Sequence, residues 1–133
     1  MQITPYIMFN DNCEQALKFY EDALGGEIRD LIRFEGSPAE KMSADPNKVM
    51  HSHFYLDGNL LFMASDGGNN AGGGGLVHLS LNFTDNGKME NVFAKLSDGG
   101  TVTMPLQDTF WGARFGMLTD QYGINWMFNH DKK

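Results

Sequence analysis

Hydrophobic positions along the chain change period in the same order twice. The opening run ITPYIMF (3–9) alternates in the manner of a strand. Cys13, Ala16, Leu17, Tyr20 and Leu24 then recur at helical spacing, which predicts a helix with a single core stripe. EIRDLIRF (27–34), KVMHSHFYL (48–56) and NLLFMAS (59–65) read as strands again. The last two are joined by Asp57-Gly58, a strong hairpin signal because both residues tolerate the left-handed backbone of a tight turn. LVHLSLNF (76–83) restarts the series. Met89, Val92, Phe93 and Leu96 form a second helical stripe, and TVTMPL, WGARFGMLT and INWMFN follow as strands. The predicted order is β-α-β-β-β, twice.

The halves also match residue by residue. With a displacement of 74 positions, Phe9, Asp11, Asn12, Phe19, Gly25 and Gly26 align with Phe83, Asp85, Asn86, Phe93, Gly99 and Gly100. In each half an Asn or Asp precedes the helix, where its side chain can accept from the free N–H groups of the first turn. Each helix runs into Gly-Gly, which suits a left-handed C-terminal cap. The expectation is one domain, 1–133, made of a first unit (1–66), a glycine-rich linker (67–75) and a second unit (76–133). The linker is not a phosphate loop, because it leads into a strand and not into a helix N-terminus. The stretch 36–48 reads as a surface excursion, with one helical turn or a lid role as alternatives.

Composition narrows the partners. The 133 residues are 41% hydrophobic and 20% charged, ordinary for a folded domain. A formal charge of -7 argues against nucleic acid and against an anionic membrane surface, since both attract basic proteins. No apolar run approaches the ~20 residues of a membrane helix. MQITPYIMF does not have the form of a secretion signal, so a cytoplasmic location is expected. Cys13, the sole cysteine, excludes an internal disulfide and reads as a small core residue on the first helix.

At this level of detail the chain resembles a known family. TPYIMFNDNCEQALKFY, VMHSHFYLDGNLLFMASD and PLQDTFWGARFGMLTDQYGINWMFN are similar to the PhnB-like branch of the vicinal-oxygen-chelate superfamily. That superfamily includes glyoxalase I, extradiol dioxygenases and bleomycin- and fosfomycin-resistance proteins. The resemblance implies an α+β fold in which paired βαβββ units form a curved, cup-shaped mixed sheet with helices outside. Proteins of this branch are often labelled demethylubiquinone-methyltransferase-like. Methyl transfer is not expected, because the chain has no glycine-rich strand-to-helix loop for S-adenosylmethionine.

The superfamily's metal enzymes hold a divalent ion with His, Glu, His and Glu, one from each of four strands. Carried over singly, those positions fall on Pro5 (or Thr4), Met63, His78 and Met127. One imidazole cannot hold the ion alone, so no cofactor is expected. A site built from His78 with His51 or His53 is the alternative. His51 and His53 share a face by strand alternation. A regular two-residue hairpin sets His53 opposite Phe62 and Ser52 opposite Met63, which puts the histidines and Met63 on opposite faces; a three-residue loop would reverse this.

Other candidates are apolar or mixed. Arg114 stands among Phe110, Trp111 and Phe115, where it can bind a carboxylate or a planar ring, or serve as a surface ion-pair partner. Met50, Met63, Met117, Met127, Trp111 and Trp126 are candidates for an adaptable apolar cavity. Asp66 and Asp120 read as structural. The candidate pocket is therefore His53, Met63, His78, Trp111, Arg114, Phe115 and Met127. The expected function is metal-free binding of a small, partly apolar molecule by a homodimer. A metal-dependent lyase, isomerase or dioxygenase using His78 with His51 or His53 is the second reading.

Overall fold

Cys13, Ala16, Leu17, Tyr20 and Leu24, the stripe of the first helix, are all buried. They pack against the β-sheet of the first half, as amphipathic spacing demands. A computed structural model of the chain describes residues 1–37, 40, 45–67 and 76–131. The chain divides into two compact units, Met1–Asn70 and Ala71–Lys133. Residues 38, 39 and 41–44 of the excursion and 68–75 of the linker lie outside the described residues.

The first unit runs β1 (Tyr6–Phe9), α1 (Cys13–Leu24), β2 (Glu27–Arg33), β3 (Val49–Leu56) and β4 (Asn59–Asp66). Its sheet has the order β1-β4-β3-β2, with β1 parallel to β4 and the other pairs antiparallel. Phe54 and Phe62 stack on the helix side with ring centroids 5.0 Å apart, and Tyr20 meets Phe62 edge-on at 5.9 Å. The helix start differs from expectation. Asn12 makes no side-chain cap bond. Buried Asp66, at the end of β4, instead accepts from the Cys13 N–H at 2.8 Å and the Val49 N–H at 2.9 Å. One carboxylate thus joins helix, central strand and neighbouring strand.

The second unit repeats the design with β5 (Leu79–Asn82), α2 (Asn86–Ser97), β6 (Thr101–Asp108), β7 (Ala113–Thr119) and β8 (Asn125–Asp131). Its order β5-β8-β7-β6 and its strand directions copy the first. Here the expected cap forms, with Asp85 accepting from the Gly87 N–H at 2.9 Å. Asp120 is buried and structural: Oδ1 accepts from the Tyr122 and Ile124 N–H groups, and Oδ2 from the Trp126 indole at 2.8 Å. Trp126 is therefore a core residue under α2, and not a lining residue of the opposite face.

The two Gly-Gly pairs divide their work in the same way. Gly25 and Gly99 take left-handed backbone, with φ of 78° and 74°. Gly26 and Gly100 are needed for close approach. A Cβ at Gly26 would lie 2.5 Å from the Phe54 ring and 2.6 Å from the Tyr55 carbonyl, and one at Gly100 would lie 2.4 Å from the Thr119 carbonyl. The internal repeat thus preserves a packing constraint as well as a turn. No helix among the described residues is long and apolar enough to cross a membrane.

Candidate functional site

Alternation in β3 sends Ser52 and Phe54 under α1 and leaves His51, His53 and Tyr55 on the face turned away from the helix. Where Met63 falls depends on the β3–β4 ladder. Asp57 and Gly58 have φ of 52° and 80°, so the turn is the two-residue form expected for Asp-Gly. Tyr55 pairs with Leu60, but the register then shifts and Phe54 pairs with Phe62, so Leu61 is an extra residue. His53 consequently stands opposite Met63, and Ser52 opposite Ala64. This corrects the regular-hairpin expectation, which separated the histidines from Met63. The cause is burial: Phe62 and Ala64, both fully buried, reach the helix side beside Phe54 only through the bulge.

A second irregularity lies on the other side of β3. Arg29 pairs with His53 and Ile32 with His51, so β2 also carries an extra residue here. Asp30, within that bulge, has a φ of 53°, an uncommon conformation for a residue with a side chain. Both neighbours of β3 are thus bulged around the His-x-His pair. Across the sheet, Tyr6, Met63, His53 and Arg29 form one row.

Polar contacts link this row to His51. The Tyr6 hydroxyl lies 3.2 Å from His51 Nδ1, and His51 Nε2 lies 3.4 Å from His53 Nε2. Asp30 Oδ2 is 3.4 Å from His53 Nδ1. That last contact is within ion-pair distance but off the hydrogen-bond direction, which leaves buried Nδ1 without a hydrogen bond. Arg29 is occupied by Glu27 at 2.6 Å and by the Tyr55 ring, 4.2 Å from its guanidinium carbon.

Burial holds the His51 imidazole below the ordinary histidine value; the adjacent His53 adds to the effect and Asp30 opposes it. Unfolding removes that restraint, so the unfolded chain takes up a proton at His51 that the folded chain does not. Stability contributed by this site is therefore complete above the ordinary value and falls as pH drops through it. Between about pH 7.5 and pH 5.5, the melting temperature of the wild type should fall further than that of His51→Asn. Parallel curves from the two proteins would refute this.

The corresponding row of the second unit is Ser80, Met127, Met117 and Met104. Phe115 shares that face by alternation with Met117 and is half-buried. Arg114 does not. It lies on the α2 side, where its guanidinium bonds Glu90 at 2.6 Å, the surface ion-pair alternative. The physical reason is parity, since strand neighbours point to opposite faces. Trp111 sits at the tip of the β6–β7 hairpin, 57% exposed, with its ring centroid 6.1 Å from that of Phe115. His78 is exposed and precedes β5. The structure thus joins His53 with Met63 in one unit, and Phe115 with Met127 in the other. Tyr6, Asp30 and Arg29 were not legible as site residues, although alternation through ITPYIMF places Tyr6 and Met8 on one face.

The superfamily's metal positions do not fit its ion. Pro5 offers no side-chain donor, and its carbonyl accepts from the Met63 N–H at 3.0 Å. Met63 and Met127 present thioethers, which suit soft ions and not the borderline or hard divalent ones. Among the described residues no cluster of three or more His, Cys, Asp or Glu side chains is arranged to hold an ion. Cys13 is no nucleophile either: burial, reinforced by Asp66, pushes its thiol up to about 12. A cleft of about 410 Å³ opens beside the start of α1, and both of its cations are engaged within it. Arg33 bridges Glu14 there, and Lys48 donates to the Asp11 carbonyl.

Known proteins share this architecture. Protein PA1353 of Pseudomonas aeruginosa is 38% identical with a TM-score of 0.86, the match covering 100% of this chain and 99% of the other. The PhnB protein of Bacillus cereus, described provisionally as a 3-demethylubiquinone-9 3-methyltransferase, is 28% identical with a TM-score of 0.83 over 98% and 99% of the two chains. A glyoxylase/bleomycin resistance protein/dioxygenase domain from Frankia shares the fold at 16% identity and a TM-score of 0.69, over 100% of this chain and 93% of that one. The family described as 3-demethylubiquinone-9 3-methyltransferase matches residues 1–128. The chain, with its α+β fold of paired βαβββ units, belongs to that PhnB-like family.

Proposed function

We propose that the protein binds a small, partly apolar molecule on the strand faces turned away from its helices, without the superfamily metal. The observation that carries this reading is the row of Tyr6, Met63 and His53, with His51 beside it, and its counterpart of methionines in the second unit. Such a surface combines flexible thioethers with a few oriented polar groups, the usual composition of a small-molecule site. A homodimer in the cytoplasm completes the reading. Methyl transfer, suggested by the family's description, is not part of it, because the chain lacks the glycine-rich strand-to-helix loop that would bind S-adenosylmethionine.

Two measurements test the proposal. Protein purified without a nickel column is expected to carry far less than one divalent ion per chain. Stoichiometric metal that disappears in His78→Ala would establish the metal-enzyme alternative instead. A thermal-shift panel of metabolites and antibiotics should raise the melting temperature with at least one compound; a ligand at about 100 times its Kd contributes roughly 2.7 kcal/mol. His53→Ala should reduce that shift. S-adenosylmethionine should produce none. A flat response to every compound would favour a purely structural module.

A further inference from the structure

We infer that Tyr6, His51, His53 and Asp30 form a one-directional proton relay, with Tyr6 as the general base that takes a proton from the hydroxyl of a bound phenol or enol. The inference rests on the small-molecule reading above and names its ligand class. Its geometry is a continuous line of contacts at 3.2, 3.4 and 3.4 Å from the phenol of Tyr6 to the carboxylate of Asp30.

The direction follows from the carboxylate. The Asp30 carboxylate lies 3.4 Å from His53 Nδ1, off the hydrogen-bond direction, and its negative charge favours the tautomer of neutral His53 with the proton on Nδ1. With Nδ1 protonated, His53 Nε2 is an acceptor, and it receives the Nε2–H of His51. His51 Nδ1 is in turn an acceptor, and it receives the hydroxyl proton of Tyr6. Every proton in the chain is committed toward Asp30.

Tyr6 therefore presents only lone pairs outward, and at 44% exposed it is open to a ligand. A ligand group that meets it must donate. Charge around the relay leaves this direction intact. β2 contributes Asp30, along with Arg29, which is engaged by Glu27 and Tyr55. β1 and β4 contribute Tyr6 and Met63 to the row.

The transfer step balances. The O–H bond of the ligand breaks and its proton joins the Tyr6 oxygen. The original Tyr6 proton moves to His51 Nδ1. The Nε2 proton of His51 passes in turn to His53 Nε2. The product is a ligand oxyanion and an imidazolium on His53 next to the Asp30 carboxylate, and not on His51, where burial disfavours the charge. No oxidant or further reactant is needed. Ligand hydroxyls with acidity near that of imidazole match this relay best, since transfer is then close to balanced. Electron-poor phenols and the enols of 1,3-dicarbonyl compounds meet that requirement, and their planar, partly apolar bodies suit the thioether and rings alongside. Tyr6 touches the ligand; His51, His53 and Asp30 act through it and are positioning residues.

The test uses 4-nitrophenol, which turns yellow when it loses its hydroxyl proton. Binding is read separately, by saturation-transfer NMR on the probe's ring protons. One pH unit below the probe's own midpoint about a tenth of the free probe is ionised, and a balanced transfer is expected to ionise about half of the bound probe, roughly fivefold more. Tyr6→Phe should bind it without the colour, and Asp30→Asn should lose most of the colour. Nitrogen-15 NMR of the free protein should find His51 protonated at Nε2 and His53 at Nδ1. A bound but colourless probe, or the opposite tautomers, would overturn the relay and leave small-molecule binding standing. Failure to bind 4-nitrophenol would overturn the ligand class, while the thermal-shift panel independently judges binding itself.

Discussion

Replacing Asp66 with alanine is expected to cost about 2–6 kcal/mol, because two buried backbone N–H groups, at 1–3 kcal/mol each, lose their acceptor together. Those groups are on Cys13 and Val49, and the carboxylate holding both is 4% exposed, so water cannot replace it without opening the unit. The loss is larger than an ordinary helix-cap deletion of ~1 kcal/mol, since the same side chain also secures the start of β3. Total stabilities of ~5–15 kcal/mol are typical, so the variant should be strongly destabilised or largely unfolded at 37 °C. Urea titration followed by far-ultraviolet circular dichroism measures the difference. Asp66→Asn retains one acceptor oxygen and should fall between the two. An Asp66→Ala protein within ~0.5 kcal/mol of wild type would mean that the N–H groups find other partners.

Phe62→Ala should be comparably damaging, at ~3–5 kcal/mol, by a different route. Its ring is fully buried, stacked on Phe54 and met edge-on by Tyr20. Truncation forfeits the transfer energy of the ring and leaves a cavity that neighbours on a rigid sheet cannot fill. It should also have a local signature. Phe62 is the residue whose burial requires the Leu61 bulge, so its removal takes away the reason for the register shift. Amide NMR of any folded fraction should detect changed pairing between β3 and β4, near His53 and Met63. Phe62→Leu, which preserves most of the apolar volume, should cost less and keep the register. A large stability loss with an unchanged ladder would show that the turn, and not the core, sets the pairing.

Both variants concern features invisible to periodicity, yet much else was legible. The helical stripes, the hairpin at Asp57-Gly58 and the duplicated order of elements all followed from spacing, because they depend on residues within a few positions of one another. Local caps divided. Asp85 performed as expected of a residue just before a helix, whereas the role of Asn12 passed to Asp66, 53 residues beyond the Cys13 N–H that it accepts from. Arg114 showed the limit of composition: its aromatic neighbours in sequence suggested a binding face, but parity sent it to Glu90.

The amino-acid pattern alone determined that this chain builds two βαβββ units with one buried face each, and that His51 and His53 share a side. Those conclusions need only the fixed periods of helix and strand. Tertiary structure decided what stands beside the histidines. Two bulges, one on each neighbouring strand, bring Met63 opposite His53 and turn Asp30 toward it, while a parallel pairing with β4 carries Tyr6 to His51. A bulge inserts one residue without a distinctive sequence mark, and it exists because the core on the other face needs its aromatic rings in place. The candidate site was therefore set by packing on the opposite side of the sheet.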